Sequence, residues 1–151
     1  MVMLVVASDH AGFALKERLK PSLKKMGIAF EDIGPKKFIK NDDYPVYAAA
    51  VAKRVRQTGS RGLLICGSGI GMAIVANKFA GIRAALVWND KVAKMAAQEG
   101  DSNILVLPAR FLSRQQAEKI LRQWLETPFR QIPRYRRRLG QIARIENFKL
   151  P

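Results

Sequence analysis

A strand-length apolar run, Leu63 to Ile65, ends on Cys66 and passes into a loop with glycine at 67, 69 and 71; Met72, Ala73, Val75 and Ala76 then continue at helical spacing. This predicts a strand, an anion-accepting loop and a helix in series. Alternating glycines let the backbone approach a ligand with its N–H groups turned inward, and the start of a helix adds the positive end of its dipole. Cys66 stands beside that field, where a thiolate is favoured and the thiol pKa is expected to fall from its free value of about 8.5. The stretch predicts a base next to an oxyanion hole.

The same passage recurs along the chain. Val2 to Ala7 is a β-rich run that ends at Ser8-Asp9-His10-Ala11-Gly12, after which Phe13, Leu15, Leu19, Leu23 and Met26 recur as in a helix. A second run, Ile28 to Ile33, closes at Gly34-Pro35; a polar loop through Asp42, Asp43 and Tyr44 leads to Pro45, placed to start a helix to about Thr58. Ile82 to Trp88 predicts a fourth strand, followed by Asn89-Asp90 and a helix through Val92, Met95 and Ala96. Ile104 to Leu107 predicts a fifth, and Ser113 caps a helix that Thr127-Pro128 ends. Strands alternating with helices imply an α/β fold, a parallel sheet covered on both faces. Ligands of such sheets bind beyond the carboxyl ends of the strands. That rule is expected to gather Asp9 and His10, Asp43 and Tyr44, the 66–71 loop, and Asp101 to Asn103 on one edge.

A chain of 151 residues, 48% of them hydrophobic, matches one domain, residues 1–151, with a core of its own. No apolar stretch approaches the roughly 20 residues of a membrane span and no basic segment precedes the first run, so a soluble, cytoplasmic protein is expected. With one cysteine and one histidine, neither an internal disulfide nor a Cys/His zinc site can form within the chain. The net charge of +15 asks for an anionic partner: a phosphorylated small molecule, a nucleic acid, or only solvent around a basic surface. The tail from Arg130 concentrates it, with seven basic side chains against Glu146 alone. A helix begun at Pro133 would put Arg134, Arg137 and Arg138 on one face, able to grip a phosphate or to lie solvated.

Two other readings compete. Gly67-x-Gly69 after a strand, with Asp90 about 20 residues on, imitates a dinucleotide fingerprint, but the third glycine stands at 71 where the pattern wants 72. A non-catalytic sugar-phosphate or nucleic-acid module would also account for the basic surface. No aromatic residues alternate with the basic ones as a single-strand reader requires, which counts against nucleic acid.

Taken in order, Ser8-Asp9-His10-Ala11-Gly12, Asp43-Tyr44-Pro45, Cys66-Gly-Ser-Gly-Ile-Gly-Met72 with Ala76-Asn77-Lys78, Gly81-Ile-Arg83, Asn103-Ile-Leu-Val-Leu and the Arg134 to Arg138 tail resemble the ribose 5-phosphate isomerase B family, which also contains the galactose 6-phosphate isomerase subunits. The resemblance implies a Rossmann-like three-layer α/β/α sandwich with a five-stranded parallel sheet and a C-terminal helical tail. It also implies a homodimer, or a dimer of dimers, whose sites draw on two subunits, and chemistry without metal or organic cofactor. An aldose and a ketose sugar phosphate would interconvert through an enediolate, most simply ribose 5-phosphate and ribulose 5-phosphate. Cys66 matches the family's base and Ser68 the hydroxyl that passes a proton to and from the substrate oxygen. Gly67, Gly69, Ile70 and Gly71 match the anion hole, and Asp9, Tyr44 and Asn103 match contacts to the sugar. The phosphate is implied to rest on His10 and Arg110, with Arg134 and Arg138 reaching in from the partner.

One departure stands out. Where most members carry a histidine that opens the sugar ring together with an aspartate like Asp43, this chain has Glu99 in the run Glu99-Gly-Asp-Ser-Asn103. A carboxylic acid doing that work at neutral pH needs a pKa raised from its reference of about 4.3. The change leaves a hexose 6-phosphate or an unphosphorylated sugar acid open as the substrate.

Overall fold

Alternating apolar side chains make the strands two-faced, and the two faces carry separate cores. In the computed structural model, which describes residues 3–147, Leu4 and Val6 of β1 (Leu4–Ser8), Leu63 and Ile65 of β3 (Arg61–Cys66) and Leu105 and Leu107 of β5 (Ile104–Pro108) share one core. Helices α1 (His10–Lys25), α4 (Asp90–Gln98) and α5 (Arg114–Glu126) complete it with Leu15, Leu19, Leu23, Ala93, Ile120 and Trp124. The intervening residues Val5, Ala7, Leu64, Cys66, Ile104 and Val106 face α2 (Tyr44–Thr58) and α3 (Ile70–Ala76). Each fully buried Leu or Ile contributes about 2 kcal/mol, and their period of two fixes which face is which. Val2, Lys149 and Pro151 lie outside the described residues.

With β2 (Phe30–Gly34) and β4 (Ala84–Leu86) the sheet has five parallel strands in the order β2-β1-β3-β5-β4. The expected three-layer α/β/α sandwich is the fold. The chain turns from one side of β1 to the other between β2 and β3, so the carboxyl ends of β1 and β3 diverge into a crevice. Asp9 and His10 follow β1 there, and Cys66 ends β3. A sixth helix, α6 (Pro133–Glu146), forms the tail and is tied to the edge beyond β4, where the Gly81 N–H donates to Glu146 Oε2 at 3.0 Å. No helix among the described residues is long and apolar enough to cross a membrane.

Caps follow the local sequence. Ser113 Oγ accepts from the Gln116 N–H at 3.2 Å while the Ser113 N–H donates to Gln116 Oε1 at 2.8 Å, the reciprocal pair that starts α5. β4 is shorter than the expected Ile82 to Trp88, because Ile82 is held in a turn by Phe79 and the Arg83 N–H donates to the Asn103 side chain. Trp88 is 58% exposed, whereas Trp124 is buried and donates from Nε1 to Ser102 Oγ at 2.7 Å.

Between β2 and α2 the chain makes a loop anchored by a buried charge cluster. Lys16 is fully buried; its Nζ donates to both oxygens of Asp32, at 2.9 and 3.0 Å, and to the Pro35 carbonyl at 2.6 Å. Burial alone would push the Asp32 carboxyl up, but hydrogen bonds from Lys16, Lys20 and the Gly34 N–H outweigh it and hold the group below its usual range. The loop that carries Asp42 and Asp43 starts from this fixed point.

Candidate active site

A cleft of ≈ 160 Å³ opens at the diverging ends of β1 and β3, lined by Asp9, His10, Ala11, Tyr44, Cys66, Gly67, Ser68, Gly71 and Arg110. Five segments supply it. Asp9 is the N-cap of α1, its Oδ1 accepting from the Gly12 N–H at 2.9 Å, and it is 5% exposed. The helix cap and the cleft carboxylate are therefore one residue. Tyr44 opens α2 and lies across Gly71, where an added Cβ would sit 2.4 Å from the ring. Arg110 belongs to a short 3-10 turn after β5, Ala109–Phe111; its N–H donates to the Gly67 carbonyl at 3.0 Å and its guanidinium lies over Gly67.

Cys66 is 4% exposed, and its Sγ accepts from the Gly69 N–H at 3.0 Å. Gly69 sits at φ 78°, a left-handed conformation that a residue with a Cβ reaches only under strain, and this turns its N–H back onto the sulfur. The expected fall in the thiol pKa is not what the surroundings produce. Burial pushes the thiol above its ordinary range, the N–H groups of Gly69, Met72 and Ser68 pull it back in part, and the Asp9 carboxylate adds to the rise. The loop does donate to the sulfur as expected. Closure of the strand end around it, and a carboxylate in the same cleft, prevail. The helix after the loop is short as well, seven residues, so the dipole behind the site is small.

The sequence-derived residues divide into two sets. Asp9, His10, Tyr44, Cys66, Gly67, Ser68, Gly71 and Arg110 meet in the cleft. Gly69 and Ile70 belong to its loop without lining it; the Ile70 N–H donates to Ser68 Oγ at 3.3 Å and its side chain is 56% exposed. Asp43 precedes α2 as an exposed N-cap and makes no side-chain cap. Its neighbour Asp42 turns inward instead: Oδ1 accepts from the His10 N–H at 2.7 Å and from His10 Nδ1 at 2.9 Å. Two adjacent acids made this undecidable from the sequence, since only the path of the loop selects which one enters.

The placement of Asp101 to Asn103 with Cys66 is corrected outright. They precede β5, and the loop before a parallel strand lies at the amino edge; Pro108 at the far end of β5 is the residue paired with Cys66. Five residues at about 3.3 Å each put Asn103 roughly 16 Å from that edge. Both ends of the Asn103 amide are engaged there, Oδ1 with the Arg83 N–H at 2.8 Å and Nδ2 with the Gly81 carbonyl at 2.8 Å. Glu99, the C-cap of α4, shares that amino edge. So does the approach to α6, because the Arg130 N–H donates to the Gln98 carbonyl at 2.9 Å. Arg134 and Arg138 are exposed on α6 and do not line the cleft of their own chain.

Such a cleft suits a small ligand with an anionic end and sets a thiol beside it. It is too small to enclose a dinucleotide, and Asp90, the acid of that imitation, pairs with Lys119 at 2.9 Å. The class defined is a Rossmann-like α/β protein equipped to move a proton on a small anion. Comparison with known proteins narrows it: residues 4–142 match the Ribose/Galactose Isomerase family model, and the chain belongs to that family. It is 39% identical over 145 residues to a probable ribose-5-phosphate isomerase B of Mycoplasma genitalium, covering 95% of each chain. It is 34% identical over 142 residues to ribose-5-phosphate isomerase B of Mycobacterium tuberculosis H37Rv, covering 93% of this chain and 88% of the relative. Among solved structures it is similar to ribose-5-phosphate isomerase B of Mycoplasma genitalium with bound ribulose-5-phosphate, at TM-score 0.93 and 38% identity over 97% of both chains. The ribose 5-phosphate isomerase of Thermotoga maritima gives TM-score 0.90 at 40% identity, over 95% of this chain and 98% of that one.

Proposed function

We propose that the chain is an aldose-ketose isomerase that interconverts D-ribose 5-phosphate and D-ribulose 5-phosphate, acting in the cytoplasm as a homodimer. The observation that carries this is the meeting of the Cys66 thiol, the 67–71 loop and Arg110 in one cleft of a chain whose relatives bear that activity in their names. Starting from the aldose, the Cys66 thiolate removes the proton from carbon 2, and the electron pair becomes the double bond of an enediolate while the carbonyl oxygen on carbon 1 takes up negative charge. Backbone N–H groups of the loop stabilise that charge. Cys66 then returns the proton to carbon 1 as Ser68 carries a proton between the two oxygens, so the step is redox-neutral overall. A thiol whose pKa stands above its ordinary range is the stronger base in the fraction that is ionised.

Asp9 and Tyr44 hold the sugar in this reading, and His10 with Arg110 receives the phosphate. Arg134 and Arg138 complete the clamp from the partner subunit, since their own cleft leaves them out. Glu99 lies on the same amino edge as the approach to α6, so it would enter the partner's site with those arginines. A dimer is supported by the adjoining α2 and α3, which expose Val46 at 67%, Ile70 at 56% and Ile74 at 56%, an apolar surface next to the cleft.

The test is turnover of ribose 5-phosphate beside a panel of hexose 6-phosphates and unphosphorylated sugar acids, with EDTA throughout. Efficient conversion of ribose 5-phosphate supports the proposal. Turnover only elsewhere in the panel would keep the proton transfer and overturn the substrate; silence across the panel would overturn the enzymatic reading.

A further inference from the structure

We propose that Asp42 is the positioning residue of the phosphate end of the cleft, fixing the His10 ring so that Nε2 is the nitrogen offered to the substrate's anionic group. The Asp42 side chain is 6% exposed, and its Oδ1 accepts two hydrogen bonds from one residue, the His10 N–H at 2.7 Å and ring Nδ1 at 2.9 Å. A carboxylate oxygen only accepts, so Nδ1 must carry a hydrogen whatever the charge of the ring. The tautomer is thereby set. The ring is 32% exposed and lines the cleft with Arg110, which leaves Nε2 as its free nitrogen. Because the same oxygen holds the backbone at the start of α1, the imidazole is fixed at two points, as a preorganised contact requires.

Asp42 itself is delivered by the loop whose start is clamped by Lys16 at the Pro35 carbonyl. Its second oxygen, Oδ2, is buried, and the carboxylate also faces Tyr47, whose hydroxyl pKa is pushed up by burial and by its hydrogen bond to Asp42.

The inference rests on the reading of this cleft as a sugar phosphate site. Its test does not depend on turnover, because His10 is the only histidine of the chain and a long-range 1H–15N spectrum reports its ring alone. In the native protein the neutral ring is expected to carry its proton on Nδ1. Asp42→Ala should move the proton to Nε2, weaken inorganic phosphate binding about tenfold in a titration followed at the same signals, and raise KM for ribose 5-phosphate by a similar factor with a smaller effect on kcat. Asp42→Asn keeps an oxygen that can accept both bonds and should restore most of each loss, which separates positioning from folding. In Asp42→Ala/His10→Ala the losses should be no greater than in His10→Ala alone. A native ring protonated on Nε2, or phosphate affinity unchanged in Asp42→Ala, overturns the role of Asp42. Failure of the native protein to isomerise any sugar phosphate would instead overturn the function, with the spectrum still deciding on Asp42.

Discussion

The Asp9 carboxylate and the Cys66 thiol share one small cleft at the ends of neighbouring strands, and the charge of the first opposes ionisation of the second. Burial is the larger influence on the sulfur, and three loop N–H groups work against both. Replacing Asp9 by Asn removes the like charge and leaves the burial. The thiol of Asp9→Asn should titrate at lower pH than that of the native protein, while both stay on the alkaline side. Thiolate absorbance near 240 nm measures this without ambiguity, as Cys66 is the only cysteine. An unchanged or higher titration point would remove Asp9 as a determinant.

Tyr44 depends on the absence of a side chain at 71. A Cβ there would stand 2.4 Å from the ring, so Gly71→Ala must push Tyr44 out of the cleft or shift the loop. The expected loss in kcat/KM is on the order of 10 to 100-fold, the cost of a displacement near 1 Å in a site that positions its substrate. Steady-state kinetics beside a thermal melt will separate this from unfolding.

Lys16 and Asp32 make a buried pair on which the Asp42 loop depends. Lys16→Met leaves Asp32 buried with Lys20 at 2.9 Å and the more exposed Lys36 at 4.0 Å as its remaining ammonium partners, and a loss of about 3 kcal/mol is expected. In a chain of this size that lowers the melting temperature by roughly 6–12 °C. Lys16→Met/Asp32→Leu should recover much of it. The Asp32 pKa is depressed by folding, so its contribution is present above the ordinary carboxylate range and is lost as pH falls through the lower folded value. The difference between native protein and Lys16→Met should accordingly shrink in acid, as denaturant melts at a series of pH values will show.

Much of the fold was legible from period and punctuation. The strand-length runs, the glycine loop, Pro45 and Ser113 mark the elements they bound; Asp9, His10, Tyr44 and the 66–71 loop follow from the rule that parallel sheets bind at the carboxyl ends, and Arg110 from the family resemblance alone. Less legible was anything decided by a loop's path. Asp42 and Asp43 are alike in sequence and opposite in orientation. Asn103 precedes its strand, which puts it at the far edge from Cys66 of its own chain, where it joins Arg83 and Gly81. The Cys66 pKa depended on how far the strand end is closed over, a quantity that residue spacing does not carry.

A shared site makes a prediction of its own. Arg138→Ala should raise KM for phosphorylated substrates, and at substrate far below that KM, where each variant alone is nearly silent, Arg138→Ala mixed with Cys66→Ala under conditions of subunit exchange should regain activity. Each heterodimer would hold one intact site of two, and with half the dimers mixed the recovery is about a quarter of the native rate. No recovery on mixing, with exchange verified by mass, would place Arg138 and Cys66 outside a common site.

In the proposed mechanism the Cys66 thiolate moves the proton between carbons 1 and 2. Its most direct test is the rate of ribose 5-phosphate conversion by Cys66→Ala beside the native protein, with substrate binding followed in parallel. Turnover should fall by about 10²–10⁴-fold while the substrate still binds, the contribution expected of a general base. A Cys66→Ala protein that turns over at near the native rate would contradict the account.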